Sequence, residues 1–149
     1  MIRFLFIATI LSGCSSEIRN DEDKLIEEWT AMWNSYNLDE VDLLFTKDVT
    51  YFSSERSGLI MGLDKLKAHH KSFGFVSAGK KSETKLWLTD IYKKNMDGDV
   101  LVAAIWHFSR PENKTDQQGP VTFLISERTG KWLIHHAHFS NDPNPGVVN

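Results

Sequence analysis

One change of period governs what this chain can build. Apolar residues recur at helical spacing as far as residue 74 and alternate from residue 83 onward. In the first stretch Leu25, Ile26, Trp29, Met32, Trp33 and Tyr36 share one face of a helix that begins near Asp23. Asp21, Glu22 and Asp23 sit at its electropositive end. Asn37 is placed to cap a second, short helix in a capping box with Glu40, and Val41, Leu44 and Phe45 form that helix's inner face. Residues 48–53 mix β-branched and aromatic side chains and predict a strand, and 53–62 predict a loop. Leu63, Leu66, His70 and Phe73 predict a third helix, followed by a linking loop with Gly74, Gly79, Lys80 and Lys81.

In the second stretch, residues 83–95 and 99–110 read as long strands. They meet at Asp97-Gly98, a type I′ signal that asks for positive φ at both positions. A polar loop over 111–119 leads to a second hairpin, 120–127 and 131–140, turned through Arg128-Thr129-Gly130. Helices first and antiparallel strands after define an α+β domain: helices packed on one face of a strongly curved, mainly antiparallel sheet. Both faces of the long strands carry apolar residues, and the helices cover only one. A second copy of the same sheet is the simplest cover for the other, which predicts a homodimer.

Composition narrows the function classes. Seventeen Lys and Arg against 20 Asp and Glu give a net charge of −3, so there is no basic excess to neutralise phosphates and no nucleic-acid partner is expected. An aromatic content of 11% excludes general disorder, and 149 residues suit one domain. The single cysteine, Cys14, can form neither an internal disulfide nor a paired-cysteine zinc site.

That cysteine gives the chain an address. Arg3 precedes an apolar run, Phe4 to Leu11, which is too short to span a bilayer and ends in Ser12-Gly13-Cys14. Leu11-Ser12-Gly13-Cys14 resembles the bacterial lipobox, whose cysteine is lipidated and becomes the mature first residue. The expected organisation is a signal peptide over 1–13, a lipidated N-terminus and tether over 14–22, a folded domain over 23–141 and a tail over 142–149. Loss of 1–13 removes only Arg3, taking the charge from −3 to −4. The expected location is the bacterial cell envelope, with the protein held to a membrane through Cys14.

The folded part resembles the NTF2-like superfamily, which includes SnoaL-like domains, ketosteroid isomerase and the association domain of calmodulin-dependent kinase II. The residues that carry the likeness are Trp33-Asn34-Ser35-Tyr36-Asn37-Leu38-Asp39, Asp48-Val49-Thr50-Tyr51-Phe52 and Gly62-Leu63-Asp64-Lys65-Leu66, closing with Gly130-Lys131-Trp132 and His135-His136-Ala137-His138-Phe139-Ser140. The resemblance implies a cone whose pocket holds a small, partly apolar molecule, lined by Trp33, Tyr51, His107, His136 and His138, and a sheet-to-sheet dimer. It implies no cofactor.

The residues themselves leave alternatives open. Strand alternation puts Trp132, Ile134, His136, His138 and Ser140 on one face and Leu133, His135, Ala137 and Phe139 on the other. His136 and His138 then lie roughly 7 Å apart, the i, i+2 spacing of a strand. They are pocket imidazoles, strand histidines bonded to Thr, Asp or backbone groups, or two ligands of a metal site. The last needs a third ligand such as His107, and no metal motif accompanies it. Asp90 becomes a general base if it is buried in the cone, and is otherwise exposed or paired with Lys85 or Lys93. Tyr51 either donates to an oxyanion, as enzymes of the superfamily do, or is a core aromatic. Glu55 and Arg56 fall near the cone mouth. No catalytic dyad of the superfamily matches residue by residue, so a binding module is the leading reading. The alternative is an isomerase, dehydratase or hydrolase using Asp90, His107 or His136 as acid–base.

Overall fold

The computed structural model describes residues 21–73, 84–110 and 116–143. The expected leader, Cys14 and most of the tether lie outside the described residues, as does most of the tail. Helix α1 (Asp21–Ser35) buries Leu25, Ile26, Trp29, Met32 and Trp33, the face expected from their spacing. It stops where Tyr36 turns to φ +53°, a left-handed backbone common just past helix ends. The Tyr36 hydroxyl is held there by the Thr84 hydroxyl.

A 3-10 turn (Leu38–Glu40) and α2 (Val41–Leu44) follow. Asn37 makes no side-chain cap, and its amide instead donates to Glu40 Oε1 at 2.8 Å. The side chains of the expected capping box therefore bond each other rather than the orphan backbone groups. Phe45 opens a strand rather than closing α2: β1 spans Phe45–Phe52. Inside the expected loop lies a short strand, β2 (Leu59–Met61), antiparallel to β1. Gly62, at φ +89°, turns the chain into α3 (Leu63–Lys71).

The strands β3 (Lys85–Met96), β4 (Asp99–Ser109), β5 (Gln117–Arg128) and β6 (Lys131–Phe139) complete a six-stranded sheet of order β2-β1-β6-β5-β4-β3. Every pairing is antiparallel except β1 with β6. At the β5–β6 turn Thr129 and Gly130 have φ of +55° and +78°, the signature of a type I′ turn. At Asp97-Gly98, where that turn was expected, only the glycine takes positive φ, +80°.

The helices lie on one face of the sheet. Val100, Val102, Ala104, Trp106 and Phe108 of β4 point into that side and are buried, while Leu101, Ala103, Ile105 and His107 are only half-buried on the outer face. Trp29 is the centre of the core, fully buried with ring centroids 4.9 Å from Phe123 and 5.6 Å from Phe139. Asn34 locks the end of α1 to β3 by pairing with both backbone groups of Leu86, donating to its carbonyl at 2.9 Å and accepting from its N–H at 2.8 Å.

Strand alternation in β6 is broken once. Ile125 pairs with Ile134, yet the adjacent Leu124 pairs with His136, so His135 is an extra residue in a bulge. Ile134, Ala137 and Phe139 are all buried in consequence, although simple alternation puts Ile134 opposite the other two.

Candidate functional site

A cavity opens between α1, the segment after α3, and the inner faces of β1, β4 and β6. Its walls are aromatic: Trp33, Tyr51, Phe73, Trp106, Phe108 and Phe139. Its rim is polar, with Ser53, Ser54, Glu55, Arg110 and Gln117. Glu55 thus sits at the mouth, as its loop position suggested, and Arg110 lies over the Phe108 ring at 5.0 Å. Trp106 is fixed by its indole N–H, which donates to the Ser140 carbonyl at 2.9 Å. The free space is ≈ 50 Å³. A water needs on the order of 10–15 Å³, so this is room for a few waters or the end of a small molecule, well short of a drug-sized site. Two larger hollows, of ≈ 640 and ≈ 540 Å³, lie outside the cone. Charged groups such as Lys24, Glu28 and Lys131 line the first, and Asp42, Lys47 and Arg128 the second. Each of these carries one Trp, Tyr or Phe ring, Trp132 in the first and Phe45 in the second, against the six that wall the cone cavity.

Behind the aromatic wall stands a group that the sequence reading placed only on the apolar stripe of α3. His70 is 0% exposed. Its ring lies 4.8 Å from that of Trp33, 5.6 Å from Tyr51, 5.8 Å from His69 and 6.3 Å from Phe73. Neither ring nitrogen has a hydrogen-bond partner among the described residues. Burial pushes its pKa down to about 3, with a smaller push from His69, so the imidazole is neutral. An unpaired buried polar group costs about 1–3 kcal/mol. His69 is also nearly buried, and burial, then Arg56, hold its pKa below the usual value. Burial likewise raises the pKa of Tyr51, keeping the phenol protonated.

The five residues expected to line one pocket divide between the two faces of the sheet. Trp33 and Tyr51 face the cavity. His107, His136 and His138 are on the outer face, and the β1–β6 register shows why: Thr50 pairs with His136 and Phe52 with His138, while Tyr51 between them pairs with the buried Ala137. His136 Nδ1 shares a hydrogen bond with Thr50 Oγ1 at 2.8 Å, and burial with neighbouring His138 and His135 lowers its pKa. His107 Nε2 shares one with Thr89 Oγ1 at 2.9 Å and stacks on Trp87 with centroids 5.0 Å apart. His138 is exposed beside Phe52. His135 Nε2 is 3.4 Å from Asp99 Oδ1. Of the outer histidines, His107 and His136 are thus bonded to strand Thr hydroxyls.

Asp90 does not meet the condition for a general base. It is exposed, at φ +52°, in a bulge of β3 where the pairing skips from Thr89 to Tyr92, and it accepts from Thr89 Oγ1 at 3.1 Å. Lys93 pairs with Asp23 instead, at 2.6 Å. Asp90, His107 and His136 therefore do not converge on the cavity. Among the described residues no three His, Cys, Asp or Glu side chains come together as a metal site would need. A signal for His70 was present in the sequence: an imidazole occupying an apolar position of a helical stripe.

The same architecture occurs in solved structures. A NTF2-like protein of unknown function from Pseudomonas putida KT2440 superposes with a TM-score of 0.73 at 13% identity, covering 84% of this chain and 87% of that one. A protein with a cystatin-like fold from Caulobacter vibrioides gives 0.68 at 21% identity over 84% and 89%. The CaMKII hub of S. rosetta gives 0.69 at 16% identity over 82% and 95%. No protein-family model and no curated protein matches the chain. The fold is an NTF2-like α+β cone.

Proposed function

We propose that this protein is a lipid-anchored domain of the bacterial cell envelope whose cone holds a small, partly apolar molecule. One observation carries the reading. The cavity has aromatic walls and confines its charged groups, Glu55 and Arg110, to the rim. An apolar recess with a few polar groups at its edge is the usual build of a small-molecule site. Binding is favoured over acid–base catalysis because Glu55 is the one carboxylate among the described lining residues, and Asp90, His107 and His136 lie elsewhere. The anchor is supported by the Leu11-Ser12-Gly13-Cys14 motif and the apolar run before it. A second copy covering the outer sheet face is supported by the half-buried Leu101, Ile105 and Leu124 and by Tyr92, 60% exposed beside them.

The cone is tested by titrating the full-length chain in detergent with 2-butanone and following indole N–H resonances. The expected outcome is a saturable shift of Trp33 and Trp106, abolished when Ser53→Trp plugs the rim. Shifts that never saturate, or that move only Trp87 on the outer face, would contradict the reading.

A further inference from the structure

Helix α1 is pinned to β3 near both of its ends. Close to its start Asp23 Oδ1 accepts from Lys93 Nζ at 2.6 Å, and close to its end Asn34 pairs with Leu86. The helix therefore runs antiparallel to β3, and its first residue, Asp21, lies at the end of the sheet where β3 turns into β4 through Asp97-Gly98. The β5–β6 turn is at that end too, since Asp99 pairs with Ser126, and Asp21 shares a hollow with Gly130 and Lys131. The mouth of the cone is at the opposite end. Ser53 to Glu55 follow β1, Leu86 lies at the start of β3, Arg110 follows β4, Gln117 opens β5 and Phe139 closes β6. From Asp99 to Phe108 the β4 strand rises about 30 Å, so the length of the sheet separates the mouth from the point where the chain enters the domain.

We propose that the bilayer meets the turn end of the sheet, and that the cone opens away from it and takes its ligand from water. The inference rests on the lipid anchor at Cys14. Seven residue steps separate Cys14 from Asp21, and a chain of that length reaches at most about 25 Å when fully extended. A mouth pressed to the bilayer would lift Asp21 by the length of the sheet, about 30 Å, and the tether falls short of that. Held the other way, the tether meets Asp21 without crossing the domain. The turn end suits a wet headgroup layer, because Asp21, Asp97, Arg128 and Lys131 are exposed there and carry both signs of charge. Charged side chains of this kind rest at the interface and do not enter hydrocarbon. The ligand class follows. It is a molecule soluble enough to arrive through water, with a short apolar end for the ≈ 50 Å³ of free space, and not a membrane lipid.

The test places one dye at each end of the domain. Asp97→Cys marks the turn end and Ser57→Cys the loop beside the mouth, and both positions are exposed. The full chain, processed in cells so that Cys14 carries its lipid, is labelled at the introduced thiol. It is then added to preformed vesicles of phosphatidylethanolamine and phosphatidylglycerol that hold an acceptor dye on their headgroups. Energy transfer to the acceptor is expected to be at least twofold higher from position 97 than from position 57. Quenching of the dye at position 57 by acrylamide in the water phase should stay within twofold of its value for the same protein in detergent. Equal transfer from the two positions, higher transfer from position 57, or acrylamide quenching that falls more than twofold on the vesicles overturns the inference. Each of those results leaves the anchor standing, because the chain is then still bound to the vesicles. A labelled chain that does not float with the vesicles fails the anchor itself, and this inference with it.

Discussion

A buried imidazole that cannot take a proton ties the stability of this domain to pH. In the unfolded chain a histidine titrates near 6.5, whereas His70 in the fold stays neutral down to about pH 3. Below 6.5 the unfolded state therefore binds more protons than the folded state, and stability falls as pH falls. The slope from one such group is about 1.4 kcal/mol per pH unit. Between pH 6.5 and pH 5 His70 alone should remove about 2 kcal/mol. His69 and His136, also held low by burial, act in the same direction. Asp48, whose carboxyl is held low mainly by the Thr46 hydroxyl, loses its contribution only at more acid pH, so the chosen window is largely free of it. Urea unfolding at pH 7 and pH 5 should show the wild type losing at least this much, and His70→Phe losing about 2 kcal/mol less. Parallel pH profiles for the two proteins would show that His70 already has a proton or a partner. His70→Phe should also be no less stable at pH 7, because a phenyl ring leaves no orphaned nitrogen among Trp33, Tyr51 and Phe73.

At the scale of elements, the strand ends and the bulges decide where side chains point. Gly119, within the segment that reads from sequence as a polar loop, pairs with Trp106 at the start of β5 and is buried. A Cβ there would lie 2.0 Å from the Ser140 carbonyl oxygen, which is backbone and itself the acceptor for the Trp106 indole. Gly119→Ala should cost about 3 kcal/mol or more, as a clash with backbone exceeds ordinary overpacking. The measurement is the urea midpoint, and a loss below about 0.5 kcal/mol, the range of neutral surface changes, would mean that the chain after β6 is not packed on β5. The same level explains what could be read in the sequence. Helix α1, the two long hairpins and the α+β class follow from periodicity strong enough to survive any local error. The start of β1 at Phe45 did not, because Phe45 also fits the inner face of α2, and β2 has only three residues to announce it. The β6 bulge at His135 left no mark in an alternating sequence, and it alone moves Ile134 to the side of Ala137 and Phe139. The aromatic wall was legible at Trp33 and Tyr51. His107, His136 and His138 join them only through what the resemblance implies, whereas the strand register sends them to Thr89, Thr50 and Phe52 on the other face.

For the whole molecule, the two faces of the sheet divide the work. The inner face with the helices makes the cone, and the outer face, with Tyr92 and Leu101 beside the Thr-bonded histidines, is the one the proposed second copy would cover. The chain purified in detergent should sediment with the protein mass of two subunits, and a strict monomer at micromolar concentration would show that this face is covered some other way. Cells given labelled palmitate should mark the wild-type chain and not Cys14→Ser, since several acyl chains at about 0.8 kcal/mol per buried methylene make a stable anchor. Equal labelling of both would remove the lipid anchor from the account. The claim on which the rest depends is that the cone is a binding cup. Its most direct measurement is a crystal structure of the chain soaked in 2-butanone. Density for the ketone is expected among Trp33, Tyr51, Trp106 and Phe139, inside the rim set by Glu55 and Arg110. Density confined to the outer sheet face, or an empty cone at a concentration that saturates nothing else, would contradict it.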